Sequence, residues 1–349
     1  MTDLIASTEF ERVELPLEDE FTIARGSTSS TENVLVRLTD DADRVGLGGA
    51  APSAYYGETP DSVEAVLPGL LDAVEEIGDP HNQQTIEEEL DALAPDEAAA
   101  RAAISIAVHD LAAQQTAEPL YRRWGLDPGR PPATSYTIPI AEPSEMADRA
   151  RRVRNAGYPI LKVKLGTDDD RARLEAVREV APDARIRVDA NCAWTPSEAI
   201  DNSRWLDDIG VEFLEQPVPA DDIDGLARVT EQAPFPIAAD ESCVTAGDVP
   251  RVADAVDIVV VKLMKCGGLR PATRQILTSH AHGLDVMLGC MVESWASIAG
   301  GWQLAPLVEY ADLDGALLLR ADPCDGPDLS GGTIDLTGVG RGTGARERQ

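Results

Sequence analysis

Short runs of β-branched and apolar residues recur along the chain from about Ile138 onward, and they alternate with segments whose apolar positions repeat at helical spacing. These helical segments begin near Ser, Thr, Asp or Pro, as in Ser144–Ala156, Asp169–Val180 and Pro196–Ile209. A repeated strand–helix alternation predicts parallel βα units. The eight predicted strands are Thr134–Ile140, Ile160–Leu165, Arg185–Ala190, Val211–Glu215, Ile237–Asp240, Asp257–Leu263, Asp285–Cys290 and Ala316–Leu319.

Polar residues close most of these predicted strands at a regular interval. Lys164, Asp189, Glu215 and Asp240 follow one another at 25, 26 and 25 residues, and Lys262 comes 22 residues later. Each interval is one βα unit, so these side chains should gather at the carboxyl rim of one barrel, where barrel enzymes build their active sites. An open doubly wound sheet would also be expected to carry a Gly-rich phosphate turn, and none is evident. The spacing predicts an α/β fold with a (β/α)₈ TIM barrel.

The first 130 residues show a different pattern, which predicts an α+β capping domain. Its predicted strands are Phe21–Ile23 and Val34–Leu38, and its predicted helices are Asp61–Ile77, Thr85–Leu93 and Asp96–Gln115. Two Gly- and Ser-rich stretches, residues 25–28 and 48–52, are candidate mobile loops. We expect the cap to span residues 1–130 and the barrel 131–321, with segment 322–349 returning to pack on the cap.

Composition narrows the class of protein. The formal charge of −32 is spread over the whole chain, which argues against nucleic acid and anionic membranes as partners. Such acidity suggests adaptation to strong salt, although a GC-rich genome would also favour Arg over Lys. The five cysteines form no Cys-x-x-Cys pair, and neither a signal peptide nor a membrane-length apolar run is visible. We therefore expect a cytoplasmic protein with reduced thiols.

Only four lysines occur in 349 residues, and they fall in two short motifs. Because Lys can lose its proton near neutral pH and Arg cannot, these lysines are the first candidates for acid–base catalysis. Lys162 and Lys164 share one strand face, where each ammonium should lower the pKa of the other. Lys262 lies well round the ring from Lys164, so the two suit removal of a proton α to a carboxylate on one face and its return on the other. Lys265 is out of phase with Lys262 and is expected to support a loop or the metal-ligand shell.

Three carboxylates end consecutive predicted strands: Asp189, Glu215 and Asp240. Their mutual repulsion at a barrel mouth would be strong without a cation between them, and oxygen ligands select hard cations such as Mg²⁺. Each could instead cap the helix that follows its strand. Their shared register favours the metal.

Taken together, the motifs Lys-x-Lys, Asp-Ala-Asn, Glu-Gln-Pro, Asp-Glu-Ser and Lys-Leu-Met-Lys resemble those of the enolase superfamily, muconate-lactonizing subgroup. The resemblance covers essentially the whole chain. It implies Mg²⁺ on the three strand-end carboxylates, Lys164 and Lys262 as opposed acid/base catalysts, and Lys162 as a ligand of the substrate carboxylate. Related racemases with a His base on the seventh strand are disfavoured, because Gly289-Cys290-Met291 stands there.

Within this subgroup, three features resemble those of dipeptide epimerases. Asp312 and Asp314 resemble the acidic pair that holds the substrate's α-ammonium, although a turn would also favour Asp. Arg25 matches an arginine that binds an acidic side chain in Ala-Glu epimerases, or is a surface charge. Tyr55 either closes over the substrate or is an exposed loop aromatic. The resemblance thus implies a Mg²⁺-dependent isomerase that moves the α-proton of a C-terminal residue through a metal-stabilised enolate, on dipeptides such as Ala-Glu.

Other functions remain open on sequence alone. The same site could serve an N-acylamino acid racemase, an o-succinylbenzoate synthase or a muconate cycloisomerase, none of which requires the Asp312/Asp314 ammonium site. A Schiff-base aldolase would use one lysine as a nucleophile and need no metal. A non-catalytic binding protein would not need two opposed bases. Barrels of this kind often form symmetric homo-oligomers, but the sequence does not identify an oligomer interface.

Overall fold

The computed structural model describes residues 3–348, which form an N-terminal cap, a parallel barrel and a C-terminal segment. The strands are β1 Ile5–Ile23, β2 Gly26–Asp40, β3 Val45–Ala50, β4 Tyr136–Ile138, β5 Ile160–Lys164, β6 Arg185–Asp189, β7 Val211–Glu215, β8 Ile237–Ala239, β9 Ile258–Lys262, β10 Asp285–Gly289, β11 Tyr310–Asp312, β12 Cys324–Asp325 and β13 Arg346–Glu347. The helices are α1 Pro60–Ile77, α2 Gln83–Leu93, α3 Ala98–Gln115, α4 Leu120–Arg123, α5 Pro143–Asn155, α6 Asp170–Val180, α7 Pro196–Ile209, α8 Ile223–Gln232, α9 Val249–Val252, α10 Leu263–Cys266, α11 Leu269–Ala281 and α12 Trp295–Trp302.

The cap begins with a long antiparallel hairpin, β1 and β2, whose register runs from Ile5 opposite Asp40 to Ile23 opposite Gly26. The sequence predicted only short pieces of both strands, because much of β1 is solvent-exposed and its charged residues hide the alternation. The hairpin tip reaches the barrel, where the Ile140 backbone N–H donates to the Thr22 carbonyl at 2.9 Å. The cap therefore places its first loop over the barrel rim.

Strand β3 completes the cap sheet and packs against helix α3 at very short range. A Cβ on Gly48 would lie 2.0 Å from the Ala103 carbonyl oxygen, and one on Gly46 would lie 2.2 Å from that of Ala107. Only glycine permits this approach. The prediction of a mobile loop at residues 48–52 is therefore wrong for its first three positions, whose glycines serve packing.

The cap helices begin close to their predicted positions for clear local reasons. Thr59 caps α1 in a reciprocal box with Ser62, and Pro60 occupies the first helical position. Helix α3 is buried on nearly every side, because it lies between the cap sheet and the barrel helices α10 and α11. The cap and the barrel thus share one hydrophobic core.

The eight strands β4 to β11 form one parallel sheet in sequence order. It closes through a bridge between Thr134 and Ala311, where the Ser135 N–H donates to the Ala311 carbonyl at 3.1 Å. The predicted (β/α)₈ barrel is confirmed. Inside, Phe213, Met287 and their neighbours fill the amino-terminal half, which leaves the polar strand ends as the second layer.

The eighth predicted strand, Ala316–Leu319, is wrong. The strand is Tyr310–Asp312, and residues 315–318 form a short 3₁₀ helix. The apolar Ala-Leu-Leu-Leu run packs against the cap hairpin, since Leu319 bridges to Leu17 and the Arg320 N–H donates to the Pro16 carbonyl. Its hydrophobicity comes from that contact and not from a place in the sheet.

The C-terminal segment contacts the cap through backbone hydrogen bonds of Gly342 with Glu118 and Leu120 and through side-chain contacts. Strands β12 and β13 pair with each other, and Arg37 of β2 forms an ion pair with Glu347. Asp110 in α3 accepts a hydrogen bond from the Thr343 backbone N–H at 2.7 Å. Across residues 3–348, every helix is too short or too polar to cross a membrane.

Candidate active site

Three buried carboxylates stand side by side at the carboxyl ends of β6, β7 and β8. Asp189 lies opposite Glu215 in the β6–β7 register, and Asp240 directly follows β8. All three are at most 1% exposed. They do not cap the following helices, because the N-cap residues of α7, α8 and α9 are Thr195, Asp222 and Asp248. The helix-cap alternative is therefore excluded for all three carboxylates.

The backbone just after these carboxylates is held in an unusual conformation. Asn191, Cys192 and Gln216 adopt the left-handed region, with φ of 45°, 66° and 36°. The Gln216 side-chain oxygen accepts from the backbone N–H groups of Asp240 at 2.9 Å and Ser242 at 3.1 Å. Gln216 therefore braces the end of β8 against β7 and fixes the position of Asp240. The Glu-Gln-Pro motif pointed to this residue, but the sequence did not reveal its role.

Lys164 and Lys262 face each other across the barrel. Lys164 ends the second strand of the barrel and Lys262 the sixth, so four of the eight positions separate them and they lie on opposite sides. Each ammonium is paired with one of the carboxylates: Lys164 Nζ lies 2.6 Å from Asp189 Oδ2, and Lys262 Nζ lies 2.7 Å from Asp240 Oδ2. The two predicted bases are thus brought together with the acids between them.

Lys162 is fully buried and surrounded by acids. Its Nζ lies 2.7 Å from Glu215 Oε2, 2.8 Å from Asp312 Oδ2 and 3.2 Å from Asp189 Oδ2. Burial alone would lower the pKa of Lys162, but these three carboxylates raise it well above its ordinary value. The expected lowering of this pKa is therefore wrong, because three carboxylates surround the ammonium group.

Lys265 has the supporting role that its phase predicted. Its ammonium donates to Asp240 Oδ1 and to the Asp240 carbonyl, both at 2.6 Å. It also donates to the carbonyls of Val260 at 2.8 Å and Cys243 at 3.0 Å. Lys265 therefore ties Asp240 to the neighbouring strand and loop.

Neighbouring charges and burial give the three strand-end carboxylates different pKa values. Burial tends to raise the pKa values of Asp189 and Asp240. The charge of Lys164 outweighs burial at Asp189, and the charge of Lys262 does so at Asp240, so both pKa values lie below their usual range. Burial and the charge of Asp189 raise the pKa of Glu215 to about 8. Glu215 is thus the acid with the weakest protein-supplied compensation for its charge.

The donor set suits a hard divalent cation. Neither oxygen of Glu215 accepts a hydrogen bond of proper geometry, although Oε2 forms the ion pair with Lys162. Buried carboxylate oxygens rarely stay without a donor or a cation. Within residues 3–348, no three His, Cys, Asp or Glu side chains are already drawn together at metal-binding spacing. Each of the three carboxylates is paired with a lysine ammonium instead, and the chemistry of the donors, not their spacing, is what fits Mg²⁺.

Asp312 and Asp314 lie on the opposite side of the mouth, at the eighth strand. Asp312 accepts from Ser135 Oγ and pairs with Lys162, whereas Asp314 accepts from the Thr137 backbone N–H at 2.6 Å. Burial and the charge of Asp312 raise the pKa of Asp314 to about 7. A cation bound here would meet two acids, of which only one has a lysine partner.

Arg25 extends from the hairpin tip into the mouth and meets two barrel residues. Its Nη1 donates to Glu241 Oε1 at 2.7 Å and to the Asn191 carbonyl at 3.0 Å. The ring of Tyr55, whose residue is 42% exposed, covers the guanidinium at 4.4 Å. Arg25 and Tyr55 are therefore part of the mouth. The role of Glu241 was not predicted, although its place beside Asp240 in Asp-Glu-Ser was the available signal.

These groups surround a cavity of about 250 Å³ between the cap and the barrel. Phe21, Ile23, Met291 and Leu318 supply apolar wall, and the lysines and acids supply its floor. A Cβ on Gly289 would lie 3.2 Å from Lys262 Cε, so the absence of a side chain there leaves room for that lysine. The cavity is of a size for a small molecule with both polar and apolar parts.

Comparison with known proteins shows which families the two parts of the chain match. Residues 6–125 match the model of the mandelate racemase/muconate lactonizing enzyme N-terminal domain, and residues 145–336 match that of the enolase C-terminal domain-like family. The chain is 39% identical to the L-Ala-D/L-Glu epimerase of Bacteroides thetaiotaomicron over 332 residues, which cover 94% of this chain and 85% of that protein.

Solved structures of two epimerases have the same fold as this chain. The dipeptide epimerase of Enterococcus faecalis, complexed with Mg and the dipeptide L-Leu-L-Tyr, superposes with a TM-score of 0.92 at 33% identity, covering 99% of both chains. The substrate-liganded L-Ala-D/L-Glu epimerase of Bacillus subtilis gives the same TM-score, identity and coverage.

Proposed function

The chain belongs to the mandelate racemase/muconate lactonizing enzyme family of the enolase superfamily, and on that premise we propose that it is a Mg²⁺-dependent dipeptide epimerase. The observation that carries the proposal is the pair of buried lysines on opposite sides of the barrel with three carboxylates between them. That arrangement suits inversion at one carbon, which requires a base on each face.

In the proposed reaction, Lys164 and Lys262 exchange the α-proton of the C-terminal residue. The neutral amine of one lysine takes the proton, and the electron pair of the broken C–H bond moves into the adjacent carboxylate. The ammonium of the other lysine then delivers a proton to the opposite face, which inverts the carbon. Lys162 would bind the substrate carboxylate and offset its charge.

Asp189, Glu215 and Asp240 would hold Mg²⁺ at the strand ends. The cation, when bound, supplies Lewis-acid stabilisation of the negative charge that develops on the substrate carboxylate. Support for the metal comes from the Glu215 oxygens that lack hydrogen bonds and from the Mg complexes of relatives. Lys265 and Gln216 would keep Asp240 in position.

The substrate would span the mouth from the eighth strand to the third and fifth. Asp312 and Asp314 would hold the free α-ammonium of the dipeptide. Arg25 and Tyr55, across the barrel, would contact the side chain of the C-terminal residue, which favours polar side chains as in Ala-Glu. Relatives named for L-Ala-D/L-Glu epimerisation support this substrate class.

We further propose that the enzyme works in the cytoplasm of a cell with a salt-rich interior. Its cysteines in residues 3–348 are all unpaired, and its charge of −32 favours a screening medium. The division into cap (1–130), catalytic barrel (131–321) and C-terminal segment (322–349) remains part of this proposal, supported by the two separate family-model matches.

Proton NMR in D₂O with Mg²⁺, concentrated KCl and L,L-dipeptides tests the proposal. We expect the α-proton signal of the C-terminal residue to disappear and the L,D diastereomer to appear, and both to stop when a chelator removes the metal. Exchange of N-acyl amino acids but of no dipeptide would replace the assignment with an N-acylamino acid racemase. Activity that persists in the chelator, together with a lysine–substrate imine that borohydride traps, would indicate a Schiff-base aldolase instead.

A further inference from the structure

Arg187 is a buried arginine inside the barrel, two residues before Asp189 on β6. Its side chain is 1% exposed, and its Nε donates to Glu212 Oε2 at 2.8 Å. The central carbon of the guanidinium lies 5.2 Å from the ring centroid of Phe213 and 5.2 Å from that of Tyr310. Burying a charge is costly, and an apolar side chain would fill the same space at lower cost. The contacts that only an arginine can make therefore deserve a functional explanation.

Two of the contacts of Arg187 are made with β11, the strand that ends at Asp312. Nη1 donates to the Ala311 carbonyl at 2.9 Å, and the Tyr310 ring faces the guanidinium. Strand β11 has three residues, and within residues 3–348 its β-pairing with β4 is the single bridge from Thr134 to Ala311. Arg187 thus crosses the barrel interior from the third strand and holds the eighth strand near this weakly paired side.

The peptide group that Arg187 holds directly precedes the candidate ammonium site. Asp312 pairs with Lys162 at 2.8 Å, and Asp314 accepts from the Thr137 backbone N–H at 2.6 Å. Hydrogen bonds and ion pairs depend steeply on distance and angle. A displacement of this peptide would therefore change how the two aspartates face a cation bound between them.

We propose that Arg187 is a positioning residue for the ammonium site, and that it sets the preference of the enzyme for dipeptides over N-acyl amino acids. Arg187 does not line the cavity, so it acts through Asp312 and Asp314 and not by touching the substrate. Its planar group donates in two directions, to Glu212 and to Ala311, which the single ammonium of a lysine would not reproduce. The inference rests on the proposed epimerase function.

The test compares kcat/KM for L-Ala-L-Glu and for N-propionyl-L-Glu, the same molecule without its α-ammonium, by α-proton exchange in D₂O with Mg²⁺. We expect the unmodified enzyme to prefer the dipeptide by at least about a hundredfold, because the analogue leaves the buried aspartates without their cation. In Arg187→Met that preference should fall at least about tenfold, since a misplacement of about 1 Å can cost as much. The fall should appear mainly as a higher KM for the dipeptide, because the ammonium is bound alike in the ground and transition states.

Arg185→Met is the matched control. Arg185 lies on the same strand, is 55% exposed and pairs with the same Glu212 at 3.4 Å, but it donates no hydrogen bond to β11 within residues 3–348. This variant should leave the preference unchanged. A merely structural role would reduce the turnover of both substrates alike, so an unchanged preference in Arg187→Met would overturn the proposal, as would an equal fall in both variants.

A second variant and the unmodified enzyme cover the remaining outcomes. If Arg187→Met does not fold, Arg187→Lys keeps the charge but loses the fork of donors, and the same fall or its absence decides. Equal exchange of the dipeptide and its analogue by the unmodified enzyme would reject the positioning role while the epimerase chemistry stands. Absence of exchange with every dipeptide would reject the epimerase itself.

Discussion

At the scale of single residues, each of the three strand-end acids is paired with a different set of lysines. Asp189 and Asp240 each have a lysine within 2.7 Å, and Asp240 has a second in Lys265. Glu215 has only the shared ammonium of Lys162, and neither of its oxygens accepts a hydrogen bond. Glu215 therefore gains most from a bound divalent cation.

Removal of the Glu215 charge should consequently weaken Mg²⁺ binding. We expect Glu215→Gln to lower the affinity, measured by isothermal titration calorimetry, by more than about tenfold, since even outer-sphere groups contribute that much. Glu212→Gln on the same strand is the control, because Glu212 pairs with Arg187 at the far end of the barrel. Equal Mg²⁺ affinity in Glu215→Gln and the unmodified protein would remove Glu215 from the metal site.

The candidate residues could be found from sequence because the period of one βα unit places strand ends together. Lys164, Asp189 and Glu215 each end a strand where that period put them. Their partners could not be found in this way. The contact between Arg25 and Glu241 joins residues 216 positions apart, and it depends on the hairpin tip reaching the rim.

At the scale of secondary-structure elements, the cap is held to the barrel by close packing around α3. Strand β3 approaches α3 so closely that Gly46 and Gly48 cannot carry a side chain without movement of the backbone. This sheet also carries the hairpin whose tip supplies Arg25, so its position relative to the barrel determines the shape of the mouth.

A side chain at Gly48 should therefore destabilise the protein. We expect Gly48→Ala to lower the free energy of unfolding by about 1–3 kcal/mol, the usual range for overpacking, because its Cβ would lie 2.0 Å from the Ala103 carbonyl oxygen. Gly69→Ala in α1 has open space around its Cβ and should be neutral or stabilising. Guanidinium unfolding midpoints measure both, and equal values would show that β3 does not pack as described.

Element prediction succeeded where local pattern and tertiary role agree, and failed where they differ. Seven barrel strands were located because buried parallel strands are continuous apolar runs. The eighth was misplaced because the run at residues 316–319 is apolar for contact with the cap, while the true strand Tyr310–Asp312 is short and mixed. The glycines of β3 were taken for a loop, since a close approach between elements leaves no local signature.

At the scale of the whole molecule, the dominant feature is a charge of −32 on 349 residues. Repulsion among exposed carboxylates opposes the compact state. The buried carboxylates are different, because lysine or backbone groups compensate them inside the protein. Salt should therefore act on the surface and leave the arrangement of the site unchanged.

Raising the salt concentration should stabilise the fold. The Debye length falls from about 10 Å at 0.1 M to about 3 Å at 1 M, which screens most of the surface repulsion. We expect the thermal midpoint to rise by about 5 °C or more between 0.1 and 2 M KCl, a few kcal/mol at about 2–4 °C per kcal/mol. Circular dichroism measures it. A midpoint that stays constant or falls would show that the acidity reflects composition and not adaptation to salt.

The most direct test of the whole account is α-proton exchange by Lys164→Arg and Lys262→Arg, each assayed by NMR in D₂O with L-Ala-L-Glu and L-Ala-D-Glu. Arginine keeps the positive charge beside Asp189 or Asp240 but cannot release a proton near neutral pH. The account predicts that neither variant interconverts the diastereomers, and that each still exchanges the α-proton of one diastereomer, a different one for each variant. Loss of exchange with both diastereomers in both variants, or full epimerisation by either, would contradict two opposed bases.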